Sequence, residues 1–143
     1  MIVFVDSVVW IGAKLKNDQW YEQSNKIIRQ FAENPEKIVH INDFVVLETV
    51  NFLLRKGSFD TASATLKLFR EHGQIEIIHM TDKLLEQTYD FFIKYKGLSI
   101  TDASIVAIMH QFGTTKLYSF DGGFDKVPGI ERLYYYPIFV TMN

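Results

Sequence analysis

Four acidic residues stand at four separate places in the 143-residue chain, and each lies inside or beside a run of apolar residues. They are Asp6 in Val3-Phe4-Val5-Asp6-Ser7, Glu48 in Val46-Leu47-Glu48-Thr49-Val50, Asp102 in Ser99-Ile100-Thr101-Asp102-Ala103, and Asp121 in Tyr118-Ser119-Phe120-Asp121-Gly122. A lone carboxylate in apolar surroundings is costly unless something compensates it. If the fold gathers the four, repulsion between like charges holds some of them protonated at neutral pH. A divalent cation removes that repulsion. Such a carboxylate-lined site suits Mg²⁺ or Mn²⁺ and, with it, phosphate chemistry.

The elements that must position these acids can be read from the alternation of short apolar runs with longer helical ones. Residues 2–5 read as a buried strand, followed by a short helix from about Ser7 and a second helix over about 19–32, which Asn34-Pro35 ends. A strand over 38–41 precedes a helix over about 44–56, with Asp43 as its expected cap and Gly57 as its stop. Ser58 or Asp60 starts a helix ending near Gly73; a strand over 75–78 and a helix over about 81–95 follow. Ser99 or Thr101 caps the next helix, which Gly113 ends, and strands are expected over 117–120 and 133–136. This alternation predicts an α/β fold with a mainly parallel sheet covered on both faces. In such sheets the crevice lies beyond the C-terminal strand ends, where Asp6 and Asp121 fall.

Each acid also has a local explanation. Asp6 can cap the helix after its strand, Asp102 can sit in a first helical turn, and Asp121 can start a turn before Gly122-Gly123. Glu48 shares a polar stripe with Asn51 and Arg55 at helical spacing, flanked by Phe44 and Phe52. A solvated face with a weak Glu–Arg contact would produce the same stripe.

Taken together, the order and spacing of the four acids resemble the PIN-domain family of metal-dependent ribonucleases, which includes VapC-type toxins of toxin–antitoxin pairs. The residues that carry the resemblance are Val3-Phe4-Val5-Asp6-Ser7, Val46-Leu47-Glu48, Leu98-Ser99-Ile100-Thr101-Asp102-Ala103-Ser104-Ile105, and Ser119-Phe120-Asp121-Gly122-Gly123-Phe124 with Val127-Pro128-Gly129. Gly122-Gly123 stands where the family more often has charged residues. The resemblance implies a three-layer α/β/α PIN-like domain spanning residues 1–143, with Asp6, Glu48, Asp102 and Asp121 as catalytic and metal-binding residues. Asp6 and Asp102 would be the primary ligands of Mg²⁺ or Mn²⁺. Asp121 would complete that site or hold a second ion, and Glu48 would act through water or on the second ion.

Ser7 and Ser119 could hydrogen-bond these carboxylates or a phosphate, with ordinary capping as the alternative. Asn51 and Arg55 could touch substrate, Arg being suited to phosphate. Asp125, just beyond Phe124, reads as a turn residue or an auxiliary acid. Lys14, Lys16, Lys56, Lys67 and Arg70 could form a basic rim, although an ordinary solvated surface is the better account of them.

Composition narrows the field. Hydrophobic residues make up 48% and aromatics 15%, which excludes a disordered chain. There is no cysteine, so disulfides, thiolate zinc sites and a cysteine nucleophile are excluded, and a cytoplasmic setting is expected. No run of about 18 apolar residues predicts a membrane span. The net charge of −2 does not favour general nucleic-acid coating. The four histidines lack metal-ligand spacing such as His-Glu-x-x-His, and Trp10, Trp20 and Tyr134-Tyr135-Tyr136 suit a core or an interface.

The expected activity is hydrolysis of RNA phosphodiester bonds by an activated water, with RNA as substrate, a cognate antitoxin as partner if the chain is a toxin, and a homodimer as its assembly. Two other classes remain open at this point. A metal-dependent small-molecule phosphatase would use a similar acid set, although an Asp-x-Asp nucleophile pair is missing. A non-catalytic metal- or RNA-binding module would hold the ion without turnover.

Overall fold

The computed structural model describes residues 1–134. Its five-stranded sheet has the order β3-β2-β1-β4-β5, built from β1 (Ile2–Val5), β2 (Ile38–Asn42), β3 (Ile75–Ile78), β4 (Lys116–Tyr118) and β5 (Glu131–Leu133). Every pairing is parallel, with Phe4 opposite both His40 and Leu117. The central strand β1 is apolar throughout because both of its faces are covered; Val3, Phe4 and Val5 are no more than 1% exposed.

Paired helices connect the first four strands. They are α1 (Ser7–Lys14) and α2 (Tyr21–Glu33), α3 (Asp43–Lys56) and α4 (Phe59–Glu71), and α5 (Asp82–Lys94) and α6 (Ile100–Phe112). Val39 of β2 lines a small apolar cavity of about 100 Å³ with Trp10, Ile28, Phe31 and Leu68, so α1, α2 and α4 lie on its side of the sheet. The next residue, His40, points the other way, where its ring meets Phe112 of α6 edge-on at 5.0 Å. The connections from β1 to β3 thus run in one direction, and the connection from β3 to β4 runs back across β1. The chain reverses between β1 and β4, a topological switch point that opens a crevice at their C-terminal ends. Asp6 immediately follows β1, and Asp121 follows β4 by three residues.

Helix α6 is apolar nearly all round, and Asp102 through Met109 are all buried. It therefore sits deep against the sheet and brings its first turn to the crevice. Gly113 closes it in the left-handed conformation, at φ 67°, which a glycine adopts without strain.

Three local expectations need correction. Asn42, rather than Asp43, caps α3: its side-chain oxygen accepts the Val45 N–H at 2.9 Å. Asp43 is instead the first helical residue, and its carboxylate accepts the Met80 N–H at 2.7 Å and meets His79 Nδ1 at 2.8 Å. The fourth strand stops at Tyr118, because beyond it the Ser119 hydroxyl turns to the acids and residues 122–126 form a 3₁₀ turn. The fifth strand begins earlier than expected, at Glu131, since the Pro-Gly turn returns the chain at once to β4; residues 135–136 of the expected strand lie outside the described residues.

Candidate active site

Asp6 is the centre of the crevice. Its Oδ1 accepts the Ser7 N–H at 2.7 Å, which caps α1, and its Oδ2 accepts the Ser119 hydroxyl at 2.8 Å. The side chain is buried, and burial pushes its pKa from 3.8 to about 6 against the lowering effect of the bonds from Ser119 and Ser7. The charge of Glu48 adds to the rise.

Glu48 lies on the exposed face of α3, yet its Oε1 accepts a short hydrogen bond from the Ser7 hydroxyl. Ser7 also lies within 3.3 Å of Asp6 Oδ1, so one hydroxyl joins two of the acids. Ser119 does the same on the other side. It donates to Asp6 and accepts the Asp121 N–H at 3.0 Å, which fixes the start of the loop carrying Asp121.

Asp102 occupies the third position of α6 and forms a capping box with Ser99. Ser99 Oγ accepts the Asp102 N–H at 3.0 Å, and Asp102 Oδ2 accepts the Ser99 N–H at 3.2 Å. Burial raises its pKa to about 7, with further contributions from the charges of Asp6 and Asp121. Asp121 is exposed, and its Oδ1 accepts the Gly123 N–H at 2.8 Å as the cap of the 3₁₀ turn.

Asp6 and Asp121 are therefore caps and Asp102 completes a capping box, as local sequence alone would allow, and the same three share one electrostatic site with Glu48. Stripping two neighbouring carboxylates of water while keeping them close raises their affinity for a positive charge, whether a proton or a metal ion. Oxygen donors at a strand end with raised proton affinity suit a hard divalent cation. As the side chains stand, no three acids or histidines among the described residues converge on one ligand position. Glu48 is turned to Ser7, Asp102 to the Ser99 N–H and Asp121 to the Gly123 N–H.

The remaining sequence candidates divide. Asn51 and Arg55 share the exposed face of α3 with Glu48, and the Arg55 guanidinium sits over the Phe52 ring at 5.9 Å. Both Asp125 oxygens accept hydrogen bonds from Arg132, at 2.8 and 3.0 Å, and this pairing lowers the Asp125 pKa. Asp125 thus clamps the 3₁₀ turn through Arg132. Arg132 itself went unnoticed in the sequence, where a single Arg in a strand carries no signal. Its Nη1 also donates to the Ser119 carbonyl at 3.3 Å, so it braces both ends of the Asp121 loop. Gly123 explains the departure from charged residues there. A Cβ would lie 3.1 Å from Asp121 Oδ1 and 3.4 Å from the Gly97 carbonyl, tight against the turn that leads into α6.

Asn42 and Ser104 were also missed. Both are fully buried, and Asn42 Nδ2 donates to Ser104 Oγ at 2.9 Å, tying the start of α3 to α6. Asn before a helical run is a cap signature, and the adjacent Asp43 hid it.

Comparisons with known proteins bear on the family and the fold. The chain is 45% identical over 56 residues to a VapC ribonuclease of Mycobacterium bovis and to ribonuclease VapC13 of Mycobacterium tuberculosis. Each match covers 39% of this chain and 41% of the relative, so it spans only about two fifths of those proteins. Among solved structures, M. tuberculosis VapC20, a sarcin-ricin loop cleaving toxin, superposes with a TM-score of 0.77 at 24% identity, covering 90% of this chain and 97% of that one. VapBC2 from Rickettsia felis, bound to a promoter DNA fragment, gives a TM-score of 0.68 at 15% identity, covering 93% and 98%. At these identities the superpositions speak to the fold. The PIN domain matches residues 3–130, which contain β2 to β4, most of β1 and all four acids, and the chain is a member of the PIN-domain family.

Proposed function

We propose that the chain, folded as one PIN-like domain, is a metal-dependent endoribonuclease acting as the toxin of a toxin–antitoxin pair. The observation that carries this reading is the acid cluster at the β1–β4 switch point, where Asp6 and Asp102 hold raised proton affinities beside Asp121 and Glu48. Asp6 and Asp102 would hold Mg²⁺ or Mn²⁺, with Asp121 and Glu48 completing the site or serving a second ion. When bound, such a cation supplies an acidified water and a positive charge for the scissile phosphate.

The protein's own groups do the rest. Ser7 and Ser119 aim Asp6 through their hydrogen bonds, and the α6 capping box holds Asp102 at the mouth of the crevice. Unpaired carboxylates repel a polyanion, so RNA approaches productively only after they are neutralised. Asn51 and Arg55, on the exposed face of α3 that carries Glu48, would meet the RNA strand.

The antitoxin partner is proposed from the relatives; a further structural neighbour is a toxin–antitoxin complex from Klebsiella pneumoniae, with a TM-score of 0.62. A homodimer has a candidate surface in α5, where Tyr89, Phe92 and Ile93 are exposed at helical spacing. No helix of the described residues is long and apolar enough to cross a membrane, and we place the activity in the cytoplasm. Cleavage of a mixed-sequence RNA panel by purified protein with Mg²⁺, Mn²⁺ or EDTA tests the reading. Cutting that needs metal and is lost in Asp102→Asn supports it. Turnover of small phosphoesters without RNA cutting would point to a phosphatase, and metal binding without any turnover to a binding module.

A further inference from the structure

Lys14, Lys16 and Lys56 converge on one cleft of about 330 Å³, together with Leu15, Asn17, Asp18 and Phe52. The chain as a whole has 15 basic and 17 acidic residues, so three lysines against one aspartate is a local reversal of its charge. Asp18 accepts the Trp20 N–H at 2.9 Å, which fixes the loop between α1 and α2. Among the described residues, none of the three lysines is in an ion pair with a carboxylate. Arg55, over the Phe52 ring at 5.9 Å, adds a fourth cation at the rim.

Position in a last helical turn explains Lys14 and Lys56 individually, since the carbonyl end of a helix favours cations. It does not explain Lys16, which lies in the loop, nor the meeting of all three around an aromatic ring. The cleft also stands at a fixed remove from the acids. Helix α1 runs from Ser7, beside Asp6, to Lys14, and within α3 the stretch from Glu48 ends at Lys56. Each stretch of eight residues or so spans about 12 Å. Both helices therefore lead from the acid cluster to the same cleft, and a short length of ribose-phosphate chain covers that distance.

We propose that this cleft binds single-stranded RNA beyond the scissile bond, with the lysines on backbone phosphates and the Phe52 ring against a base. The proposal rests on the nuclease reading for its ligand and adds the direction in which the strand leaves the site. Lysine contacts of this kind carry no sequence information, and stacking on an aromatic face tolerates any base.

The test measures binding of a fluorescent single-stranded RNA by anisotropy, from 50 to 200 mM salt, in an Asp102→Asn background that cannot turn it over. Replacing Lys14, Lys16 and Lys56 by Gln should weaken binding of every sequence alike. It should also reduce the slope of log affinity on log salt by about 2, at ~0.7 per phosphate contact. Replacing the same three by Arg should restore both. Lys67→Gln with Arg70→Gln, on the separate α3–α4 groove, should change neither. Binding and slope that survive the Gln variant, or no RNA binding at all, would overturn the proposal and leave the cleft to an acidic protein partner. Metal-dependent cleavage by the wild-type chain is read in parallel. Cleavage with lysine-independent binding would sink the cleft alone, and lysine-dependent binding without cleavage would sink the nuclease alone.

Discussion

At the scale of single residues, the site is organised around two carboxylates that the fold makes reluctant to ionise. Asp6 and Asp102 are raised from 3.8 to about 6 and about 7, chiefly by burial. In the native state they keep protons that the unfolded chain gives up near pH 4. Their contribution to stability is therefore fully present below that pH and is lost as pH rises through the folded values. The metal-free protein should lose stability between about pH 4 and 7, as chemical denaturation would measure, and Asp102→Asn should flatten the upper part of that decline. His40 works the other way: burial lowers its pKa, so its contribution favours the native state as pH rises. A loss that persists unchanged in Asp102→Asn would count against this assignment. Ser119 supplies a second check, because its hydroxyl holds Asp6. Ser119→Ala should weaken Mn²⁺ binding by about 10–100-fold, the usual cost of losing a group that orients a ligand. All four acids were legible in the sequence, since a carboxylate in an apolar run stands out. Their partners were not: a serine beside an acid looks the same whether it caps a helix or bridges two side chains.

At the scale of elements, the helix ends do the positioning. Asn42 caps α3 and also reaches Ser104 of α6, so one buried amide links the helix of Glu48 to the helix of Asp102. Asn42→Ala should cost about 1–3 kcal/mol, combining a lost cap with a lost buried hydrogen bond to Ser104, and should lower metal affinity beyond what stability alone explains. Denaturation and Mn²⁺ titration of the same variant separate the two effects. Helix boundaries were largely readable, because Ser58, Thr81, Ser99 and Gly113 are strong start and stop signals and act as such here. The ends of β4 and β5 were harder to read. Their limits are set by partners distant in sequence, such as the Ser119 N–H bonding to the Leu133 carbonyl at 3.0 Å, and no local pattern encodes them. The Arg132 brace on the Asp121 loop was hidden for the same reason.

At the scale of the whole molecule, the sheet order places the acids. Alternating strands and helices implied a parallel sheet, and the family resemblance supplied its type. The reversal between β1 and β4, which brings Asp6 beside the Asp121 loop, became visible only with the strand order. A cation held as proposed would join groups from the end of β1, α3, α6 and the loop after β4, so it should stabilise the whole fold. Saturation with Mn²⁺ at a hundred times its Kd should add about 2.7 kcal/mol and raise the melting temperature accordingly. In cells, expression should arrest growth, and Asp102→Asn should relieve the arrest; arrest by the variant would show that toxicity has another cause.

Metal binding and RNA cutting should depend on one and the same site. Titrating Mn²⁺ into the wild-type protein and into Asp102→Asn, with calorimetric binding and RNA cleavage followed over the same concentrations, tests that dependence. The two curves should coincide in the wild type, and both should collapse in the variant. Cleavage that persists in EDTA, or metal binding that survives Asp102→Asn unchanged, would contradict that dependence.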